Sequence, residues 1–326
     1  MTTSSHYFIV GGAGFIGSHF TDRLLADPAT ARVTLFDNFS SGREWHYAHH
    51  ANDPRLHVVR GDVKDLPALR AAMDGHDTVI HLASNPDIAR AATEPDIDFR
   101  EGTLLTQNVV EAMRTSSAKR ILYASGSGVY GERASVEFQE DHGPLVPIST
   151  YGASKLAGEA MIAAYAYMFD MSGCAFRFGN VVGPRQTHGV GLDFLRRLLA
   201  NPRELFILGD GTQSKSYIHV SDVVGAVLQA NRTLTERFRA FNVATGDYIT
   251  VTEIGKLAIE VAGIPPGTTE LTYGGGDRGW KGDVPVIRLD TARIQSIGWR
   301  CAKNTRDALR ASMTEMLDDA RAGKLR

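Results

Sequence analysis

Residues 7–17 read YFIVGGAGFIG. Four apolar or aromatic residues suited to a buried strand run directly into glycines at 11, 14 and 17, and residues 15–25 then carry apolar side chains at three- and four-residue spacing. A glycine triplet between a strand and a helix has a physical task. Gly11 permits the tight turn, Gly14 leaves room for a pyrophosphate, and Gly17 lets the helix approach the sheet. Free N–H groups and the helix dipole make that helix start an anion site. The stretch predicts a dinucleotide-binding turn at the first strand of the fold.

Working outward, short apolar runs at 32–36, 56–59, 78–82, 120–124 and 174–178 join 7–10 as candidate strands, and helical patterns such as 15–25, 104–113 and 155–168 fall between them. That alternation predicts an α/β fold, a doubly wound parallel sheet with helices on both faces and right-handed crossovers. After about Asn180 the rhythm breaks, and Gly and Pro gather in VVGPRQTHGVG, NPRELFILGDGTQ and YGGGDRGWKGDVP. Helical patterns at 221–231 and 252–261 flank a strand-like 241–244, and 304–322 reads as an amphipathic helix. The expected organisation is a dinucleotide-binding domain of residues 1–180 plus about 212–247. A second, smaller mixed α/β substrate lobe takes about 181–211 and 248–326.

The second candidate strand ends at Asp37, twenty positions beyond Gly17. A carboxylate there accepts hydrogen bonds from ribose hydroxyls and repels a 2′-phosphate, which favours NAD over NADP. Arg43, nearby in sequence, is the residue type that would accommodate such a phosphate. Asp62 reads either as an acceptor for the adenine amino group or as a turn residue.

Composition narrows the remaining classes. The 326 residues are 43% hydrophobic and 22% charged, with 35 Lys plus Arg against 37 Asp plus Glu, net −2. That balance argues against a general nucleic-acid binder. A chain of this length buries enough surface to need no disulfide or metal staple. Two cysteines, Cys174 and Cys301, lie near no second Cys or His at ligand spacing, so no metal site is expected. No apolar run reaches the ~18 residues of a membrane span, and the N-terminus lacks a basic, signal-like start. A cytoplasmic location is expected.

Tyr151 and Lys155 stand at i and i+4 in TYGASKLAGEAM, on one helix face. A free phenol has a pKa of ~10. A neighbouring ammonium favours the phenolate, so the pair is expected to form a general base that takes a hydroxyl proton as hydride leaves to NAD.

With these residues in place, the chain resembles extended short-chain dehydrogenases/reductases, above all nucleotide-sugar epimerases of the UDP-glucose 4-epimerase type. The motifs GGAGFIG, Asp37, HLAS, ASGSGVYGE, YGASK, FGNVVGPRQ and GDGTQSKSYIHVSDV occur in that order over nearly the whole chain. The resemblance implies a Rossmann domain holding NAD. Its contacts would come from Gly11, Gly14, Phe15, Ile16 and Gly17, then from Asp37, Asn38, Ser41 and Gly42. Asp62, Val63, Leu82, Ala83 and Ser84 would follow, with Tyr151, Lys155 and Phe178 near the nicotinamide. Tyr151 would take the proton from a sugar 4-hydroxyl while C4 gives hydride to NAD; the 4-keto sugar would turn over, and hydride and proton return to the other face. Asn180, Gly189, Val190, Lys215 and Arg278 would bind the nucleotide diphosphate sugar, UDP by resemblance. A homodimer is implied through helices 104–113 and 155–168.

Two positions depart from the family pattern. A Ser or Thr is usual four residues before Tyr130, where this chain has Gly126, flanked by Ser125 and Ser127. An Asn is often found where Gly102 stands. Relatives that dehydrate carry an Asp-Glu pair at the positions of Ser127 and Gly128, and relatives that decarboxylate tend to keep a Glu at 128. Both reactions are therefore disfavoured against epimerisation. An NDP-sugar 4-ketoreductase, and a redox-sensing or scaffold protein that binds NAD without chemistry, remain as alternatives. Lys215 replaces a common Arg. Trp280 reads as a base-stacking or interface residue, His81 as a buried structural histidine, and His46, His49 and His50 as a polar helix face.

Overall fold

The computed structural model describes residues 5–133, 136–279, 282–321 and 323. Trp280 lies outside the described residues. Seven strands build the central sheet: β1 Ser5–Val10, β2 Thr30–Asp37, β3 Leu56–Arg60, β4 Thr78–His81, β5 Arg120–Gly126, β6 Ser172–Phe178 and β7 Phe238–Val243. They lie side by side in the order β7-β6-β5-β4-β1-β2-β3, every neighbour parallel. The chain winds outward from β1 in one direction and from β4 in the other. A crevice therefore opens between the carboxyl ends of β1 and β4, where such sheets bind ligands.

The parallel sheet is covered on both faces, which is why its strands read as near-continuous apolar runs. Successive residues of β1 point to opposite sides. Ile9 packs with Leu35, Phe176 and Phe241 under Phe20 and Leu24 of α1 (Phe15–Leu25). Phe8 and Val10 pack with Val79 and Tyr123 on the other face. That face is covered by α2 (Leu66–Met73), α3 (Leu104–Arg114) and α4 (Thr150–Met168). Helix α4 begins earlier than its apolar periodicity suggests. The Ser149 side chain accepts from the Gly152 N–H at 3.1 Å, a cap that starts the helix at Thr150 and places Tyr151 in its first turn.

A third cluster gathers Val182, Leu192, Phe194, Leu205, Ile207, Leu257 and Met313 away from the central sheet. It joins α5 (Val190–Ala200), α7 (Val251–Val261) and the C-terminal Thr305–Arg321 helix, while α6 (Val220–Thr233) packs on the central sheet. The paired strands Glu204–Ile207 and Glu270–Tyr273 also contribute to it. Among the described residues no helix is long and apolar enough to cross a membrane.

Candidate active site

A cleft of about 520 Å³ runs along the carboxyl ends of the strands. Its dinucleotide end is mostly backbone. Gly11 holds φ +79°, and a Cβ there would meet the Ala83 nitrogen at 2.9 Å. A Cβ on Gly17 would fall 2.6 Å from the Gly12 oxygen, so α1 rests directly on the turn. Beside Gly14 an added Cβ would approach only the Gly11 oxygen, at 3.3 Å, which leaves the cleft side open. Helix α1 starts at Gly14 without a side-chain cap, and Phe15, Ile16 and Gly17 line the cleft. Its first N–H groups are thus available to an anion, and the cradle fits a pyrophosphate.

Asp37 ends β2 as expected and is buried, with one oxygen accepting from the Ala13 N–H at 2.9 Å and the other from Phe39 at 2.8 Å. Burial pushes its carboxyl above the ordinary value, and the two backbone bonds pull it back. A carboxylate has about four acceptor sites, so capacity remains for ribose hydroxyls. Asn38, Ser41, Asp62, Val63, Leu82, Ala83 and Phe178 line the same cleft. Asp62 also accepts from the Lys64 N–H at 2.9 Å, so it serves as a turn residue.

Gly42 is placed differently. It does not line the cleft; a Cβ there would meet Ala13 and the Asp37 carboxylate at 2.9 Å, so it packs behind the loop. Arg43 turns onto the Gly42 carbonyl, also outside the cleft lining. The three histidines do not form a polar helix face. His46 is fully buried and bonds the Ala13 carbonyl at 2.8 Å, bracing the glycine loop from behind. His49 and His50 both meet Asp22, whose second oxygen is taken by Arg185.

In the middle of the cleft stand Tyr151 and Lys155 of α4. Lys155 is buried, donates to the Ala124 carbonyl at 2.8 Å, and lies 5.4 Å from the centre of the Tyr151 ring. Burial pulls Lys155 down to about 8, against Asp98 and Glu159, which pull it up. Burial pushes Tyr151 up to about 12; a side-chain hydrogen bond with Ser84 lowers it and the Asp98 charge raises it further. In this structure burial raises the phenol, where a lowering by the ammonium was expected, and the Lys155 ammonium donates to the Ala124 carbonyl.

The three candidate hydroxyls beside the phenol separate cleanly. Ser125 donates to Glu159 at 2.5 Å, and Glu159 forms a buried ion pair with Arg177 at 2.7 Å. Arg177 donates in turn to the Tyr130 hydroxyl, which donates to Asn242. Ser125 is therefore committed to the network that anchors α4 to β6. Ser127 lines the cleft with no hydrogen-bond partner among the described residues, and Gly128 lines it beside Ser127. Ser84, in the loop after β4, also lines the cleft. A Cβ on Gly102 would meet the Ser154 hydroxyl at 2.3 Å, so the Asn often found there would require that serine to rotate.

At the far end, Asn180, Gly189, Val190 and Lys215 line the cleft, but Lys215 is paired with Asp283. Arg278 stands outside the lining, held by Glu132 at 2.8 Å and by the Asp283 carbonyl at 2.8 Å. Gln186, His188 and Tyr217 complete this wall; the first two fall in the glycine-rich stretch that signalled a loop here. Burial pulls His188 below the ordinary histidine value and the Asp87 charge opposes it. His81 is fully buried and neutral, with Nε2 on Thr106 at 3.1 Å.

The profile of the NAD-dependent epimerase/dehydratase family matches residues 7–244. A putative UDP-glucose 4-epimerase of Methanocaldococcus jannaschii is 30% identical over 319 residues, covering 96% of this chain and 99% of that protein. A dTDP-glucose 4,6-dehydratase of Streptomyces griseus is also 30% identical, over 317 residues, covering 96% and 94%. The solved structure of MoeE5 in complex with UDP-glucuronic acid and NAD superposes with a TM-score of 0.83 at 29% identity, covering 97% of this chain and all of that one. With the glycine turn, the strand-end Asp37 and the Tyr151–Lys155 pair in one cleft, the chain belongs to the NAD-dependent epimerase/dehydratase family.

Proposed function

We propose that the protein epimerises a nucleotide diphosphate sugar, a UDP-sugar, at C4 through a transient 4-ketone. NAD supplies the chemistry of taking up hydride from the sugar carbon and returning it. The rest is the work of the chain. The α1 start would hold the dinucleotide pyrophosphate and Asp37 its ribose. Lys155, cationic below about pH 8, would hold the second ribose and keep positive charge near the phenol. Tyr151 would take the proton from the sugar 4-hydroxyl and give it back after the ketone has turned. Asn180, Gly189, Val190 and Lys215 would hold the nucleotide diphosphate.

One observation carries the choice of epimerisation over dehydration, although both reactions occur among the relatives. The turn facing the phenol presents Ser127 and Gly128 to the cleft, and neither can act as the acid or base that loss of water requires. We assign residues 1–180 and about 212–247 to the dinucleotide unit and 181–211 with 248–326 to the sugar unit, supported by the separate cluster around Leu192, Leu257 and Met313. We also assign a homodimer, supported by the apolar outer face of α4, where Ala153, Ala160, Ala164, Tyr167 and Met168 are exposed.

The test is incubation with UDP-, GDP-, CDP- and dTDP-sugars, with product stereochemistry read by NMR. Inversion at C4 without net change in absorbance of the nicotinamide is expected. Tyr151→Phe should lose roughly 10²- to 10⁴-fold in kcat with dinucleotide affinity unchanged. Sustained net oxidation or reduction of the cofactor would replace the epimerase by an oxidoreductase. Full turnover by Tyr151→Phe would remove the phenol from the reaction.

A further inference from the structure

We propose that Asp22, His49 and His50 form a binding site for a zinc-class transition-metal dication beside α1, outside the lining of the cleft. Nε2 of His49 lies 2.8 Å from Oδ1 of Asp22, and Nε2 of His50 lies 2.9 Å from the same oxygen. The three ligand atoms all fall within 4.8 Å of one another, and no other three His, Cys, Asp or Glu side chains among the described residues do so. Zinc takes imidazole nitrogen and carboxylate oxygen at about 2.0–2.2 Å in a tetrahedron whose corners stand roughly 3.3–3.6 Å apart. The two hydrogen-bonded edges need to open by only about half an ångström to reach that size. Two imidazoles and one carboxylate leave the fourth corner to water, and the half-exposed His49 ring gives the ion a way in. The cysteine spacing pointed to no metal; these ligands are histidines that the fold carries to an aspartate 27 residues earlier.

The surroundings hold the three ligands in place. His49 and His50 end the short turn Ala48–His50, and the turn before it, Glu44–His46, is pinned by His46 on the Ala13 carbonyl. Asp22 projects from α1, and its Oδ2 accepts from Arg185, so Oδ1 alone faces the two rings. Arg185 also donates to the His46 carbonyl at 2.7 Å and to Nδ1 of His19 at 2.9 Å. It thereby orients the carboxylate from outside, as partners of metal ligands do. His19 is occupied on both ring nitrogens, with Nε2 on the Pro184 carbonyl at 3.0 Å, and does not compete as a ligand. Without an ion each of the two rings donates Nε2–H to Asp22; with one, each turns the Nε2 lone pair inward and carries its proton on Nδ1. Three ligands beside a guanidinium make a weaker site than a closed four-ligand one, with a Kd of about 1–10 µM expected. The ion would tie α1 to the segment whose His46 braces the glycine turn.

The experiment titrates the full chain, free of any histidine tag and stripped of metal with a chelator, with Zn²⁺, Co²⁺ and Mg²⁺ by calorimetry. Zn²⁺ should bind at about one ion per chain and raise Tm, and Mg²⁺, which prefers oxygen ligands, should do neither. Co²⁺ should show the intense visible bands of a tetrahedral site. His49→Ala/His50→Ala should weaken Zn²⁺ at least ~100-fold, erase the Co²⁺ bands and remove the Tm rise. If the double variant does not fold, His49→Ala, which alters a half-exposed ring, carries the comparison with an expected loss of at least ~10-fold. No Zn²⁺ binding below about 100 µM, Mg²⁺ binding as tight as Zn²⁺, or Zn²⁺ affinity unchanged by the histidine variants would each overturn the inference. None of these readouts involves turnover, so the result is independent of the proposed epimerase activity.

Discussion

Around β1 and α1 the cleft wall is backbone: a glycine turn at 11–17, braced by Asp37 on the Ala13 N–H and by His46 on the Ala13 carbonyl. Between Lys215 and Asp283 it is side chain against side chain, joined across 68 residues of sequence. A backbone wall follows from local rules, because only glycine tolerates φ +79° at the turn and only an uncapped helix start presents free N–H groups. A side-chain wall depends on which distant segments happen to meet. The two ends should therefore fail differently when disturbed.

The largest effect is expected at the backbone end. Gly17→Ala places a methyl group 2.6 and 2.7 Å from two carbonyl oxygens of the turn, and neither oxygen can move without moving the turn. Helix α1 must withdraw from the sheet. Overpacking of this kind costs about 1–3 kcal/mol, and here it also displaces the N–H groups of the anion site. Dinucleotide affinity measured by calorimetry should fall at least ~100-fold, with a lower Tm. Wild-type affinity in this variant would show that the turn is not the pyrophosphate cradle.

A smaller effect belongs to the middle of the cleft. Burial holds the Lys155 pKa near 8, below the ordinary 10.5. Below about pH 8 the lysine is protonated in the folded and unfolded chains alike, and the folded state bears the full cost of burying the charge. Between about 8 and 10.5 the unfolded chain binds the extra proton, so stability rises with pH in that window. Relative to Lys155→Met, wild-type Tm should climb as pH increases from about 8 to 9.5. A constant difference would show that the ammonium is fully solvated or fully paired.

How much of this was legible in the sequence follows the same division. The strands from 7–10 to 174–178 were readable because a doubly covered sheet forces apolar runs on every strand, and the glycine turn because its function is written in consecutive residues. The start of α4 was legible only through the Tyr151–Lys155 spacing, because Ser149 sets it by a cap and not by apolar periodicity. The i, i+4 spacing of Tyr151 and Lys155 was visible, but the direction of their pKa shifts was not, since it depends on how deeply the cleft buries them. Asp98, Glu159 and Arg177 carry no local signal at all. Their importance arises from partners on other elements: Asn85 and Thr150 for Asp98, Ser125 and Tyr130 for the Glu159–Arg177 pair. Gly42 and Arg278 fit a motif by sequence and were carried by packing to places where they meet other protein groups.

The smallest effects test the side-chain end, and they separate its two cations. Lys215 lines the cleft and is one-fifth exposed, whereas Arg278 is spent on Glu132 outside it. Arg278→Met should leave KM for the nucleotide sugar within about twofold, because an exposed ion pair contributes little and its loss opens no path to the cleft. Lys215→Met is ambiguous by itself: it removes a charge from the cleft and also strands Asp283, which is 4% exposed and among the described residues keeps only the Gly279 N–H at 3.2 Å. Lys215→Met/Asp283→Asn removes that second effect. If Lys215 binds the nucleotide diphosphate, affinity for UDP by calorimetry should fall roughly 10-fold in the single and the double variant alike. If Lys215 only neutralises Asp283, the double variant should bind UDP as wild type does, and the diphosphate would then rest on Asn180 and the backbone around Gly189, making the far end of the cleft a backbone wall like the near one.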